Sequence, residues 1–157
     1  MMKAVDHVSF TVSDLDRSIE FYRLLLQSDP LHVGEDASVF SAQVIGYEHV
    51  RLRFAWFALP GSESMFEIFE YLDPPGAPGN QETWTVGNGH IGLVVDDLDA
   101  EFKRLANSGA TFRHDRPVEI TDGPWKGSKA IYMRDPDGIT VELMESPPSR
   151  AARFADW

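Results

Sequence analysis

HIGLVVDDLDAEFKRLANSGA, residues 90–110, decides the fold, because the chain has already run through its pattern once, as HVSFTVSDLDRSIEFYRLLLQSD from His7. His7 and His90, Val12 and Val95, Asp14 and Asp97, Leu15 and Leu98, Ile19 and Phe102, and Tyr22 and Leu105 are all 83 positions apart. Each copy reads as a short alternating strand, an Asp-rich turn and an amphipathic helix. Each then arrives at a closing strand of one kind, FEIFE at 66–70 and VELME at 141–145. One supersecondary unit used twice is the expected architecture. Each copy also opens with a histidine and closes with a glutamate, Glu67 or Glu142. The glutamates are only 75 apart, so the second copy has the shorter loops.

The flanking sequence sorts these residues by face. In VDHVSFTV, Val8, Phe10 and Val12 alternate with His7, Ser9 and Thr11. A helix capped by Ser13 or Asp14, with Leu15, Ile19, Tyr22 and Leu26 in one stripe and an end near Ser28–Pro30, covers the valine face. His7 is thereby turned away from the helix. Two strands are expected between Ser38 and Leu59, SVFSAQVIG and VRLRFAWFAL, with Gly46 at the turn. In the second, Val50, Leu52, Phe54 and Trp56 share a face against His49, Arg51 and Arg53, and that arginine face is solvated or lines a cavity. Pro60-Gly61 turns into MFEIFEY, whose Phe66 and Ile68 face the core while Met65, Glu67, Phe69 and Tyr71 face the other way.

The second copy places Ile91, Leu93 and Val95 on the core side and His90, Gly92 and Val94 opposite. Asp96 or Asp97 caps its helix and Gly109 ends it. TFRHDR at 111–116 reads as irregular, and the loop Asp122–Lys129 leads into the strand KAIYMR. Asp135-Pro136 and Asp137-Gly138 then turn into ITVELME, with Glu142 opposite Val141 and Leu143. The expected organisation is a single domain over 1–146 made of repeats 5–72 and 88–146. The linker is 73–87, rich in Pro and Gly and draped over the protein through Trp84, and the tail is 147–157, either loose or docked through Phe154 and Trp157.

Composition narrows the function. The chain has 157 residues, 43% hydrophobic, enough for one core. A formal charge of -11 argues against nucleic acid and anionic membranes. No segment reads as a signal peptide or a membrane span, so a cytoplasmic protein is expected. With no cysteine, a metal would be held by imidazole and carboxylate. Pseudo-twofold repeats bring His7, Glu67, His90 and Glu142 together where their faces away from the helices meet, a set suited to Ni, Co, Mn, Fe or Zn with room for water or a bidentate substrate. His32, His49 and His114 have no such partners and are read as surface or loop.

The segments HVSFTVSDLDRSIEFY, FEIFEY, GHIGLVVDDLDA and YMRDPDGITVELME resemble the vicinal oxygen chelate superfamily of glyoxalase I, methylmalonyl-CoA epimerase, extradiol dioxygenases and the bleomycin and fosfomycin resistance proteins. The resemblance covers about residues 5–146. It implies an α+β fold of paired βαβββ modules around a cleft with a divalent metal, and a homodimer. By it, His7, Glu67, His90 and Glu142 match the four ligand positions of the lyase and isomerase branches.

Three activities follow. In the first, the metal stabilises an enediolate of a small oxygenated carbonyl or thioester while Glu67 and Glu142 move the α-proton. Thr11 stands where related glyoxalases carry an arginine for glutathione, and Tyr71 where they carry an asparagine, so glutathione is not the expected substrate. In the second, His7, His90 and Glu142 form an Fe(II) triad of an extradiol-type dioxygenase. The run Ile131-Tyr132, Asp135-Pro136, Gly138, Glu142 resembles that signature, but its upstream histidine is replaced by Gly123, Pro124 and Trp125. In the third, a resistance-type protein sequesters a planar ligand against Trp56, Trp125 and Phe69. The first is favoured, because it alone uses Glu67. Arg53, Tyr132 and Trp125 are the expected substrate contacts, with the loop Asp122–Lys129 as a lid.

Overall fold

The computed structural model describes residues 1–123 and 125–147, in two compact units, one Met1–Gly79 and the other from Asn80 on. The expected docking of Phe154 and Trp157 lies outside the described residues. The first unit runs β1 (His7–Thr11), α1 (Leu15–Leu26), β2 (His32–Asp36), α2 (Val39–Ile45), β3 (Arg51–Ala58) and β4 (Met65–Asp73). Its sheet has the order β1-β4-β3-β2, with β1 parallel to β4 and the other pairs antiparallel.

The second unit runs β5 (His90–Val94), α3 (Leu98–Asn107), β6 (Thr111–Phe112), β7 (Val118–Glu119), β8 (Lys129–Arg134) and β9 (Thr140–Glu145). Its order, β5-β9-β8-β6, repeats that of the first sheet, and β7 also pairs with β8. The mixed α+β fold with a sheet in each unit agrees with the expectation. Among the described residues, no helix is long and apolar enough to cross a membrane.

Both units form alike for the same local reasons. Asp14 Oδ1 accepts the amide of Arg17 at 3.0 Å and Asp97 Oδ1 that of Ala100 at 2.9 Å, so each Asp-rich turn caps a helix. The helices then cover one face of their sheets. On α1 the buried stripe is Leu15, Ser18, Tyr22 and Leu25, rotated slightly from the expected one. Tyr22 packs on Phe66 and Phe57, with ring centroids 4.6 and 6.3 Å apart. In the second unit Leu98 and Leu105 of α3 belong to a core with Ile131, Met133, Val141 and Leu143. Each such apolar side chain contributes about 1.5–3 kcal/mol by leaving water.

A second lock is shared. Glu70 Oε2 accepts the amide of Leu15 at 3.4 Å, and Glu145 Oε2 that of Leu98 at 2.8 Å, so the closing strand holds the first turn of the helix. A cation on the neighbouring strand bridges this glutamate to the helix's second residue. Arg53 reaches Glu70 and Asp16 at 3.2 and 2.7 Å, and Lys129 reaches Glu145 and Asp99 at 3.6 and 2.6 Å.

Three expectations about local structure are corrected. SVFSAQVIG is not a strand: Val39–Ile45 is helical, because Ser38 Oγ caps Ser41, Asp36 accepts from both serines, and Gly46 closes the helix in the left-handed region at φ 87. No strand is expected between Pro30 and Ser38, yet His32–Asp36 forms the edge strand β2, on which His32 is exposed at the surface. TFRHDR is not wholly irregular, since Thr111–Phe112 pairs with β8. The end of the expected linker is tied down within the second unit, where Glu82 binds Arg113 at 3.1 Å and Arg134 at 3.4 Å. Trp84 does not pack as expected and is 75% exposed.

Candidate metal and proton-transfer site

Strand register decides which side chains meet. Ser9 pairs with Glu67 across β1 and β4, so His7 and Glu67 lie on the same face, the one turned away from α1. His7 Nε2 stands 3.5 Å from Glu67 Oε2. The second sheet repeats this: Gly92 pairs with Glu142, and His90 Nε2 stands 3.3 Å from Glu142 Oε2. A Cβ at Gly92 would stand 3.7 Å from Glu142 Oε2, an ordinary contact distance.

The two pairs differ in their surroundings. The Glu67 side chain is 9% exposed and that of Glu142 20%. Burial raises the Glu67 carboxyl above its ordinary range, against the opposing pull of His7. His7 is itself raised, chiefly by the hydrogen bond from its Nδ1 to Asp6 Oδ1 at 2.8 Å, with Glu67 adding to it.

Beside each carboxylate the next strand places an aromatic residue, Trp56 opposite Glu67 and Tyr132 opposite Glu142. Tyr132 lies 5.3 Å from the His90 ring, centroid to centroid, and burial keeps its phenol protonated above the usual range. On the first sheet the aromatic surface continues: His32 stacks with Trp56 and Phe54 at 5.2 and 5.6 Å, and Phe54 with Phe69 at 6.4 Å. Sequence reasoning passed over His32. The alternation of His32, Gly34 and Asp36 was the available signal, and Gly34 is needed, because a Cβ there would stand 2.8 Å from Phe54 Cζ.

The donor chemistry suits a divalent metal. Metal–nitrogen and metal–oxygen bonds of about 2.0–2.2 Å put neighbouring donors on one ion about 3.0–3.4 Å apart. Each His–Glu pair is held close to that separation, with unprotonated imidazole and carboxylate as hard-to-borderline donors. His7 is brought to Glu67 and His90 to Glu142. Among the described residues, no group of three or more histidine, aspartate and glutamate side chains is gathered to hold a metal. Each unit thus carries one His–Glu pair.

The expected substrate contacts separate. Tyr132 lies on the Glu142 face. Arg53 does not lie on the Glu67 face: it stands three residues from Trp56, which is opposite Glu67, so alternation puts it with Ala55 and Phe57, under α1, where it binds Asp16 and Glu70. Alternation does set it opposite Leu52, Phe54 and Trp56, as expected, but the face it joins is the one under α1 and not a pocket wall. Trp125 is 38% exposed in the turn before β8, where Ser128 donates its amide to the Trp125 carbonyl at 3.0 Å. His49 and His114 are exposed and pair with Asp73 and Asp115 at 3.4 and 2.9 Å, remote in register from either His–Glu pair.

Comparison with known proteins agrees with this architecture. The family model described as the Glyoxalase/Bleomycin resistance protein/Dioxygenase superfamily matches residues 4–143. A 2-epi-5-epi-valiolone epimerase from Actinomyces sp is 32% identical, over 92% of this chain and 80% of its own length. A lactoylglutathione lyase from Salmonella typhimurium is 30% identical, over 89% of this chain and 90% of its own. The crystal structure of a glyoxalase family protein from Bacillus cereus superposes with a TM-score of 0.79 at 21% identity, covering 93% of this chain and 95% of that one, and speaks to the fold alone.

Proposed function

We propose, on the premise that this chain belongs to the glyoxalase/bleomycin resistance protein/dioxygenase superfamily, that it is a metal-dependent lyase or isomerase. Its substrate is a small oxygenated carbonyl compound or thioester, and its reaction is proton transfer at the carbon beside the carbonyl. The observation that carries this reading is the buried Glu67 carboxylate facing His7, repeated by Glu142 and His90. A carboxylate sequestered among Met65, Phe69 and Tyr71 costs desolvation energy that a plain packing role does not repay. The epimerase and lyase relatives belong to reaction classes that proton transfer at carbon serves.

In this reading His7, Glu67, His90 and Glu142 hold one divalent ion, which when bound supplies the Lewis acidity that makes the neighbouring carbon acid stronger. The protein is a homodimer. Glu67, the more buried of the two carboxylates, is the proton acceptor. It takes the α-proton onto its free oxygen. For epimerisation Glu142, carrying a proton from solvent on an oxygen not used by the ion, delivers it to the other side of the carbon and is left as carboxylate, and Glu67 gives up to solvent the proton it took. For isomerisation Glu67 returns its own proton to the adjacent atom. Tyr132, kept protonated, donates to a substrate oxygen beside Glu142, and Trp125 flanks the entrance. Thr11 in place of an arginine leaves no cation on β1 for a glutathione carboxylate.

The test is α-proton exchange in D₂O with metal-loaded protein and a panel of α-hydroxy ketones, hemithioacetals and 2-substituted malonyl thioesters. Exchange with at least one member, abolished in Glu67→Gln and Glu142→Gln, is the expected result. No exchange by any member, together with O₂ consumption by Fe(II)-loaded protein on catechols, would overturn the reading.

A further inference from the structure

Residues adjacent on a strand point to opposite faces, so a contact between the side chains of positions 6 and 7 is not what the pleat alone provides. It arises because Asp6 stands just outside β1. Its carbonyl accepts the amide of Met65 at 2.9 Å, and the carbonyl of Val5 accepts the Ser64 hydroxyl at 2.6 Å, so residues 5 and 6 are pinned to the start of β4. From that position Asp6 Oδ1 lies 2.8 Å from His7 Nδ1, while His7 Nε2 is the nitrogen beside Glu67. A carboxylate only accepts, so Nδ1 carries the proton and donates.

We propose that Asp6 is a positioning residue for His7: it fixes the ring and its Nδ1–H form, so that the Nε2 lone pair is presented on the Glu67 side. This rests on the reading of His7 as a metal ligand for its purpose, though not for its geometry. A histidine that binds a metal through one nitrogen is oriented and made more basic by a carboxylate on the other, and loss of that partner weakens the metal about 10- to 100-fold. The second half-site has no counterpart, because Gly89 precedes His90. The half-sites are therefore unequal. His7 is the pre-set ligand, and His90 takes its orientation from Glu142 and the Tyr132 ring.

Long-range ¹H–¹⁵N spectra of metal-free protein read the tautomer directly. Wild type is expected to show His7 as Nδ1–H, and Asp6→Ala to revert toward the Nε2–H form, with the cooperative unfolding transition retained. Calorimetric titration with Co²⁺ alone is expected to show affinity reduced about 10- to 100-fold in Asp6→Ala, with partial recovery in Asp6→Glu. An Nε2–H tautomer in wild type, or an unchanged tautomer and Co²⁺ affinity in Asp6→Ala, would overturn the proposal. If wild type binds no Co²⁺ yet shows the Nδ1–H form lost in Asp6→Ala, the metal reading fails while the positioning of His7 by Asp6 stands.

Discussion

Replacing Arg53 with Met tests whether that side chain serves the helix or the substrate. The guanidinium contacts Glu70 Oε2 at 3.2 Å, and Glu70, whose side chain is 19% exposed, also accepts the first amide of α1. The arm to Asp16 ends on a carboxylate that is 74% exposed, and it is assigned no energy because solvent screens it. A charged hydrogen bond to a half-buried partner contributes about 1.5–3 kcal/mol, and the exposed part of the Arg53 side chain lowers the expected loss to about 1–2 kcal/mol. Met keeps the packing of the stem, so the loss belongs to the charge. Urea denaturation followed by circular dichroism should give this loss, with a thermal midpoint lower by roughly 2–8 °C for a chain of this length. A double-mutant cycle with Glu70→Gln should return a coupling of about 1 kcal/mol. Unchanged stability and zero coupling, with substrate affinity falling instead, would refute the placement of Arg53 under α1 and return it to the pocket wall.

Gly34→Ala should cost about 1–3 kcal/mol by overpacking, because the new methyl would stand 2.8 Å from Phe54 Cζ and 3.2 Å from His32 Nε2; a changed near-UV aromatic spectrum is the accompanying sign. Ser18→Ala should be neutral or raise stability by about 1 kcal/mol, since the Ser18 hydroxyl is fully buried on α1 without a hydrogen-bond partner among the described residues, and a clear destabilisation in urea would count against this. Glu67→Gln in metal-free protein should be more stable than wild type at pH 8 and equal to it at pH 4. The sign follows from the raised carboxyl of the folded state: the stability contributed by its protonated form is fully present below the ordinary value of 4.5 and is lost as pH rises through the folded value. Equal stability of the two proteins at pH 8 would show that Glu67 carries no desolvation cost.

The parts that could be read in advance are those whose signals are local and repeated. The 83-residue offset carries the capping aspartates, the helix stripes and the histidines, and strand alternation places Glu67 and Glu142 away from the helices. What escaped depends on competition or on distance along the chain. Residues 38–46 are as compatible with a strand as with a helix by their β-branched and aromatic content, and the caps from Asp36 and Ser38 decide in favour of the helix. Arg53 was misplaced because alternation separates it from Phe54 and Trp56 without telling which face meets α1, and its partner Asp16 lies 37 residues away. Asp6 was hidden by its position. Beside a ligand histidine it looks like a solvated strand end, and only the bond from Met65 to its carbonyl aims it at Nδ1.

The central claim is that two half-sites, His7 with Glu67 and His90 with Glu142, hold one divalent ion. Native mass spectrometry with elemental analysis of metal-loaded protein measures this directly. One ion for each pair of half-sites is expected in wild type, and its loss on His90→Ala, with the unfolding transition preserved. Metal content unchanged by His90→Ala would contradict it.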